Sequence, residues 1–205
     1  MSEPGLVWLR DPHLAPLAAS PWPAWAWSLD ATRIVWANPT GAAIVNAATL
    51  GAAARAALPA RRVDAGQPAA AAQIARLAAT LPADGTRRLE RLRGLGAGIG
   101  RALTCHCARI TLHDGTPAIL VAAAERAGPD LSLSERVHRL LTDTDAPLAA
   151  FAANGTLIDA TPAAQARLAG ARTLAALGVE KLAAEAGACG HAAGRVTGHG
   201  AGPIA

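Results

Sequence analysis

Tyrosine is missing from this chain, phenylalanine and methionine occur once each, and Lys181 is the only lysine. Bulky core volume therefore has to come from Leu, Ile, Val and five Trp, because most of the 52% hydrophobic content is Ala. A core so rich in Ala is weakly specified by side-chain shape. Three cysteines in 205 residues exclude a disulfide framework. Met1 is followed by Ser2, Glu3, Pro4 and Gly5, without the basic and then apolar run of a secretory signal. The longest apolar stretch, Pro117 to Ala124, is far short of the ~20 residues a membrane helix needs. The cytoplasm is the expected location, with no membrane partner.

Catalytic signatures are missing too. The chain has no nucleotide-binding boxes of a kinase, no nucleophile elbow and no paired carboxylates in a motif context. Gly94, Gly96, Gly98 and Gly100 recur at every second position, which fits neither a dinucleotide fingerprint nor a P-loop and reads as a hairpin loop. The net charge of +4 invites a nucleic-acid partner. However, the densest arginine groups, Arg61-Arg62 and Arg87, Arg88, Arg91 and Arg93, carry no interleaved aromatics and no recognition helix. They read as solvated faces. Neither enzyme activity nor nucleic-acid binding is expected.

The chain does carry a patterned order of elements. Residues 1–21, with Pro4, Pro12 and Pro16, read as an irregular lead-in. Trp25, Trp27 and Leu29 then alternate with Ala24, Ala26 and Ser28, the period of a strand. Asp30 to Arg33 supplies a turn and Ile34-Val35-Trp36 a second strand. A turn closing on Ala31-Thr32 puts Trp27 opposite Trp36 and Leu29 opposite Ile34, all four on one face. Asn38-Pro39 opens a helix, Asn as N-cap and Pro at the first helical position. Gly41 to Ala57 reads as short helices. Gln67 to Leu81 is a stronger helix, with Ile74, Leu77 and Leu81 at helical spacing. Strands follow at Arg87–Arg93, Arg101–Leu112 and Pro117–Ala123, the last two joined at Asp114-Gly115.

After Gly128-Pro129-Asp130, Leu131 to Leu141 reads as a helix capped by Ser132 or Ser134, with Leu133, Val137, Leu140 and Leu141 on one side. A second hairpin then turns at Asn154-Gly155, and Thr161-Pro162 opens a helix as Asn38-Pro39 does. Ala37-Asn38-Pro39 matches Ala160-Thr161-Pro162, and Gly194-Arg195-Val196 matches the start of the late strands. The result is an internal repeat of ~120 residues whose second copy lacks its last two strands.

Ile34-Val35-Trp36-Ala37-Asn38-Pro39 followed by Gly41-Ala42-Ala43 resembles the hydrophobic strand, Asn-Pro and Ala-rich helix of the PAS family. Phe151 to Ile158 and Thr161 to Ala164 repeat the pattern. The resemblance implies an α+β fold, a five-stranded antiparallel sheet with flanking helices. It divides the chain into a PAS-like domain at 22–125, a linker helix at 126–142 and a truncated second domain at 143–205. The resemblance is nearest to the input region of a bacterial sensor histidine kinase. It implies a signal-input role, relayed through the linker helix to kinase or response-regulator output domains, and a homodimer formed through the domain and that helix. A stand-alone adaptor that regulates a kinase or transcription factor in trans is the alternative. Trp25, Trp27, Trp36, Asn38, Ile74 and Leu77 are the candidate ligand or interface residues. The Trp residues line either a pocket under the long helix or the outer sheet face. No cofactor is expected: residues 41–81 lack the Cys of flavin photosensors, and residues 67–81 lack the axial His of haem-binding members.

Cys105-His106-Cys107 is the one metal-like cluster. On a strand the two thiols share a face and His106 points away, and His113 beyond is the nearest further ligand. Two small buried cysteines beside an exposed histidine are expected instead. His138 is followed by Arg139-Leu140-Leu141 rather than by the acidic residue, Arg and Pro of phospho-acceptor helices, and reads as a surface residue.

Overall fold

Alternating Trp and Ala give a strand buried on both faces: β1 (Ala24–Ser28) has all five residues buried. This is seen in a computed structural model that describes residues 8, 11–45, 67–96, 101–142 and 144–194, with the backbone only at 67–69. The short helices expected after Val45, Arg61-Arg62, the end of the glycine run and the Arg195-Val196 match lie outside the described residues. The chain forms two units, Met1–Asp143 and Thr144–Ala205.

In the first unit β1 is joined by β2 (Ile34–Ala37), β3 (Arg88–Arg93), β4 (Ala102–Thr111) and β5 (Pro117–Ala123). The order is β2-β1-β5-β4-β3, with every neighbour antiparallel. The last strand thus inserts beside the first, so β5 is central and β1 is flanked by β2 and β5. Helices α1 (Pro39–Ile44) and α2 (Gln67–Thr80) connect β2 to β3, and α3 (Leu133–Leu141) follows β5. This is an α+β fold, a five-stranded antiparallel sheet with flanking helices.

Each face of the sheet has its own apolar cluster. On the helix side Trp25, Trp27, Ile34, Leu103, Ile119 and Val121 pack with Ile74, Leu77 and Leu81. On the other side Ala24, Ala26, Trp36, Ala108, Ala118 and Leu120 are covered by Trp8, Leu14, Ala18 and Leu140. The division follows the β1 pattern: bulky indoles point toward the helices, and small alanines let the chain lie close on the outer face. Gln73 ties α2 to the edge strand, its amide accepting from the Arg93 N–H and donating to the Arg93 carbonyl, both at 3.2 Å.

The first hairpin corrects the expected register. Trp27 pairs with Ile34 and Ala26 with Trp36, so β2 carries one residue more than β1 over this span. That β-bulge at Val35 breaks the alternation, because one extra residue turns every following side chain to the opposite face. Trp27 and Ile34 share the helix face, whereas Trp36 lies on the outer one.

Four turns use one device. Asp30, Asp84, Asp114 and Asn154 each accept the N–H of a Thr two residues on, at 2.9–3.1 Å. The residue between has positive φ each time, Gly in three turns and Ala31 (φ 56°) in the first. Such a side chain substitutes for a backbone turn bond.

In the second unit β6 (Ala149–Phe151) and β7 (Leu157–Ala160) form a hairpin, followed by α4 (Pro162–Leu168) and α5 (Glu180–Cys189). The geometry repeats that of the first unit in a hairpin one residue shorter. Phe151 pairs with Leu157 and Ala150 with Asp159, which leaves a bulge at Ile158, the counterpart of Val35. Thr161 accepts from the N–H groups of Leu148 (3.1 Å) and Ala164 (3.3 Å), as Asn38 accepts from Ala24 (3.0 Å) and Gly41 (2.8 Å). What differs is burial. Among the described residues of this unit only Ala160, Thr161 and Ala164 are buried, and α5 buries none. An open groove of about 680 Å³, lined by Phe151, Leu174 and Ala183 among others, runs along the hairpin.

The turn carboxylates predict an acid response. Bonds first from the Ser28 hydroxyl and then from Thr32 lower Asp30 from its ordinary 3.8 to about 2. The Thr86 and Thr116 N–H groups lower Asp84 and Asp114. A carboxyl depressed by folding contributes stability above its unfolded pKa and loses it as pH falls toward the folded one. Thermal midpoints should therefore be level near neutrality and fall as pH drops from about 4 toward 2. Changing Asp30, Asp84 and Asp114 together to Asn, the residue already used at 154, should flatten that fall in circular-dichroism melts. A decline as steep as the parent's would show that the turns are not responsible.

Candidate functional site

Of the residues singled out from sequence, four meet on one face. Trp25, Trp27 and Ile74 are at most 1% exposed, and Leu77 closes the cluster between α2 and the sheet. Trp25 Nε1 donates to the Gly41 carbonyl (3.0 Å) and so holds α1 against β1. The approach is tight enough to require glycine, since a Cβ at position 41 would lie 2.6 Å from the Ala24 carbonyl oxygen. Trp27 and Trp36 offer indole N–H groups with no partner among the described residues. These indoles fill the interior of the sheet sandwich. Trp36 is separated from the others by the thickness of the sheet and is itself covered, so the Trp residues do not form a single surface.

Asn38 is the polar centre of the unit. It is fully buried, caps α1 through Gly41 and accepts the Ala24 N–H, which joins β1 to the end of β2. Its Nδ2 faces the carbonyls of Leu17 (3.1 Å), Ser20 (3.4 Å) and Trp22 (2.7 Å). Residues 11–22 are thereby fastened across the outer face as a strap. Asp11 fixes the strap's other end, accepting from His13 and Leu14 and, through Oδ2, from the His113 N–H at 2.7 Å. After a turn at Asp11–Leu14 the strap forms a short 3-10 helix, Ala15–Leu17.

Helix α3 is held by this strap. Ser132 caps the helix by accepting the Glu135 N–H (3.1 Å). The buried face is Arg136, Val137 and Leu140, while Leu133, expected on that side, is 44% exposed. Arg136 Nε donates to the Ala19 carbonyl (2.9 Å) and its Nη1 to the Leu131 carbonyl. Arg139 pairs outward with Glu135 at 2.7 Å. An arginine with its head group buried against carbonyls is costly to desolvate and costly to strip of its partners. Sequence reasoning assigned the helix its apolar stripe and passed over Arg136. The missed signal is its spacing, one turn before Leu140 and adjacent to Val137. His138 lies on the exposed side.

Cys105 and Cys107 lie in the helix-side core, both fully buried, with exposed His106 on the opposite face. Burial, reinforced by the neighbouring Cys107 and Glu125, pushes the Cys105 thiol well above its ordinary value. Burial likewise raises Cys107 to about 12. His113 sits at the β4–β5 turn, and no group of three metal-ligating side chains occurs among the described residues. The structure does not bring Cys105, Cys107 and His113 together.

A thiol reacts as its thiolate, so these two positions should be inert. Ellman's reagent on the native protein should titrate Cys189, which is exposed, and reach Cys105 and Cys107 only after denaturant is added. Rapid reaction of all three thiols in the native state would contradict the packing described. Among the described residues no helix is long and apolar enough to cross a membrane. Compared with protein-family models, with curated proteins and with solved structures, the chain matches none.

Proposed function

We propose that the chain is a signal-input module of the PAS type whose output is the docking state of α3, working in a bacterial sensor histidine kinase and associating as a homodimer. The observation that carries the reading is the way α3 is attached. It is the next element after the last strand, reaches the outer cluster through Leu140, and is held by one buried arginine, two apolar side chains, the strap and a contact with α1. The strap is in turn held by Asn38, whose other bonds reach β1 and α1. A change in the helix-side core that moves the end of β2 therefore reaches α3 through a short series of hydrogen bonds. A connected element with two discrete positions is what such relay requires.

Further support comes from the strand order and from the repeat of the hairpin, bulge and capped x-Pro helix in the second unit. The described residues of the second unit read as a PAS-like hairpin and capped helix whose hairpin side chains are only half covered.

Joining residues 1–142, in helical phase through α3, to the catalytic core of an active histidine kinase tests the relay. Arg136→Ala in that chimera should change the autophosphorylation rate several-fold, since loss of one buried charged hydrogen bond is worth about 1.5–3 kcal/mol. Equal rates for parent and variant, with the helical phase shown to matter by one-residue insertions, would contradict α3 as the output element.

A further inference from the structure

The outer apolar cluster takes in Ala108 and Ile110 of β4 and no residue of β3. Among the described residues, nothing apolar of this cluster covers the corner of the outer face where β3 meets the start of β4. Arg91 and Arg93 point there, alternating with the buried Leu92, and they pair across the ladder with Thr104 and Ala102. Arg101 enters from the start of β4 and Glu125 from the end of β5. Together these six residues line a cleft of about 530 Å³.

The charges in this cleft are unbalanced. None of the three guanidinium groups closes a hydrogen bond or an ion pair among the described residues, and all three arginines are exposed. The single carboxylate, Glu125, already accepts the Thr104 N–H at 2.9 Å, and that bond, followed by the charges of Arg101 and Arg91, holds it below the ordinary carboxylate range. Arg88, on the opposite face of the same strand, is by contrast neutralised by Glu90 at 2.8 Å. Three convergent cations around a cavity gain most from a ligand that brings two adjacent negative groups. The planar guanidinium fork matches phosphate oxygens in pairs. The cavity is of the size that small-molecule sites have.

We propose that this cleft binds a small phosphorylated ligand, with Arg91, Arg93 and Arg101 as its anion contacts and Glu125 setting the floor of the site. The site is independent of the signal-input reading, because it uses neither α3 nor the strap. Inorganic pyrophosphate is the probe, titrated calorimetrically into the full chain at constant ionic strength set with chloride. Saturable binding is expected. It should weaken roughly tenfold or more in each of Arg91→Gln, Arg93→Gln and Arg101→Gln, and stay unchanged in Arg88→Gln. All four side chains are exposed, so parent-like melting curves will show that the variants are folded. No saturable heat at millimolar pyrophosphate would overturn the proposal, as would equal weakening in Arg88→Gln. Binding of a single-stranded oligonucleotide without any binding of pyrophosphate would overturn it too.

Discussion

One buried carboxamide sets the arrangement of the first unit. Asn38 stands where β2 ends and α1 begins, and its oxygen satisfies a donor of each neighbour, Ala24 in β1 and Gly41 in the helix. Its nitrogen faces outward to the carbonyls of the strap. Leaving any one of these buried partners unmet costs about 1–3 kcal/mol, a large part of the margin by which a domain of this size is stable. No apolar side chain could fill the position, because each of those backbone groups has lost its water.

The second unit shows which part of this role is general. Thr161 occupies the same place and makes the two acceptor bonds, and its hydroxyl donates to the Ala146 carbonyl at 2.8 Å. A threonine can cap the helix and bind the strand, but it has no amide nitrogen with two hydrogens to spend on a crossing segment. Only in the first unit does the position therefore also hold a strap, and on that strap the Ala19 carbonyl receives Arg136. The two faces of the sheet are linked through polar groups at its edge, beside a direct contact of α1 with α3. The helix-side core itself, with Trp25, Trp27 and both buried thiols, is packed without a comparable polar bridge to the outer side.

Much of the fold was legible because its signals were local. The α2 helix, the β4–β5 hairpin and the two x-Pro helix starts follow from spacing, capping residues and turn chemistry that act over a few residues. The face of Trp36 was not legible. A bulge at Val35 inserts one residue into an otherwise regular alternation, and nothing in Ile34-Val35-Trp36 marks which residue is extra. The strap was hidden for a different reason: residues 11–22 have no periodicity, and their structure comes from Asp11 and Asn38, partners distant in sequence. Arg136 escaped notice because a charged residue is assigned to the solvent side of a helix unless its carbonyl partners are known. At the candidate site, spacing left open which sheet face Trp25 and Trp27 take; the structure gathers them with Ile74 and Leu77 on the helix side.

The central claim is that Asn38 controls α3 through the strap. Hydrogen exchange followed by mass spectrometry on Asn38→Thr tests it most directly, because threonine keeps the cap and the strand bond, as position 161 shows, and its single hydroxyl hydrogen leaves the Leu17 and Ser20 carbonyls without their donor. The account predicts faster exchange in residues 11–22 and 131–141, with β1, β4 and β5 protected as in the parent. Loss of protection in the strap alone, with α3 unchanged, would contradict the account, as would uniform loss across the whole unit.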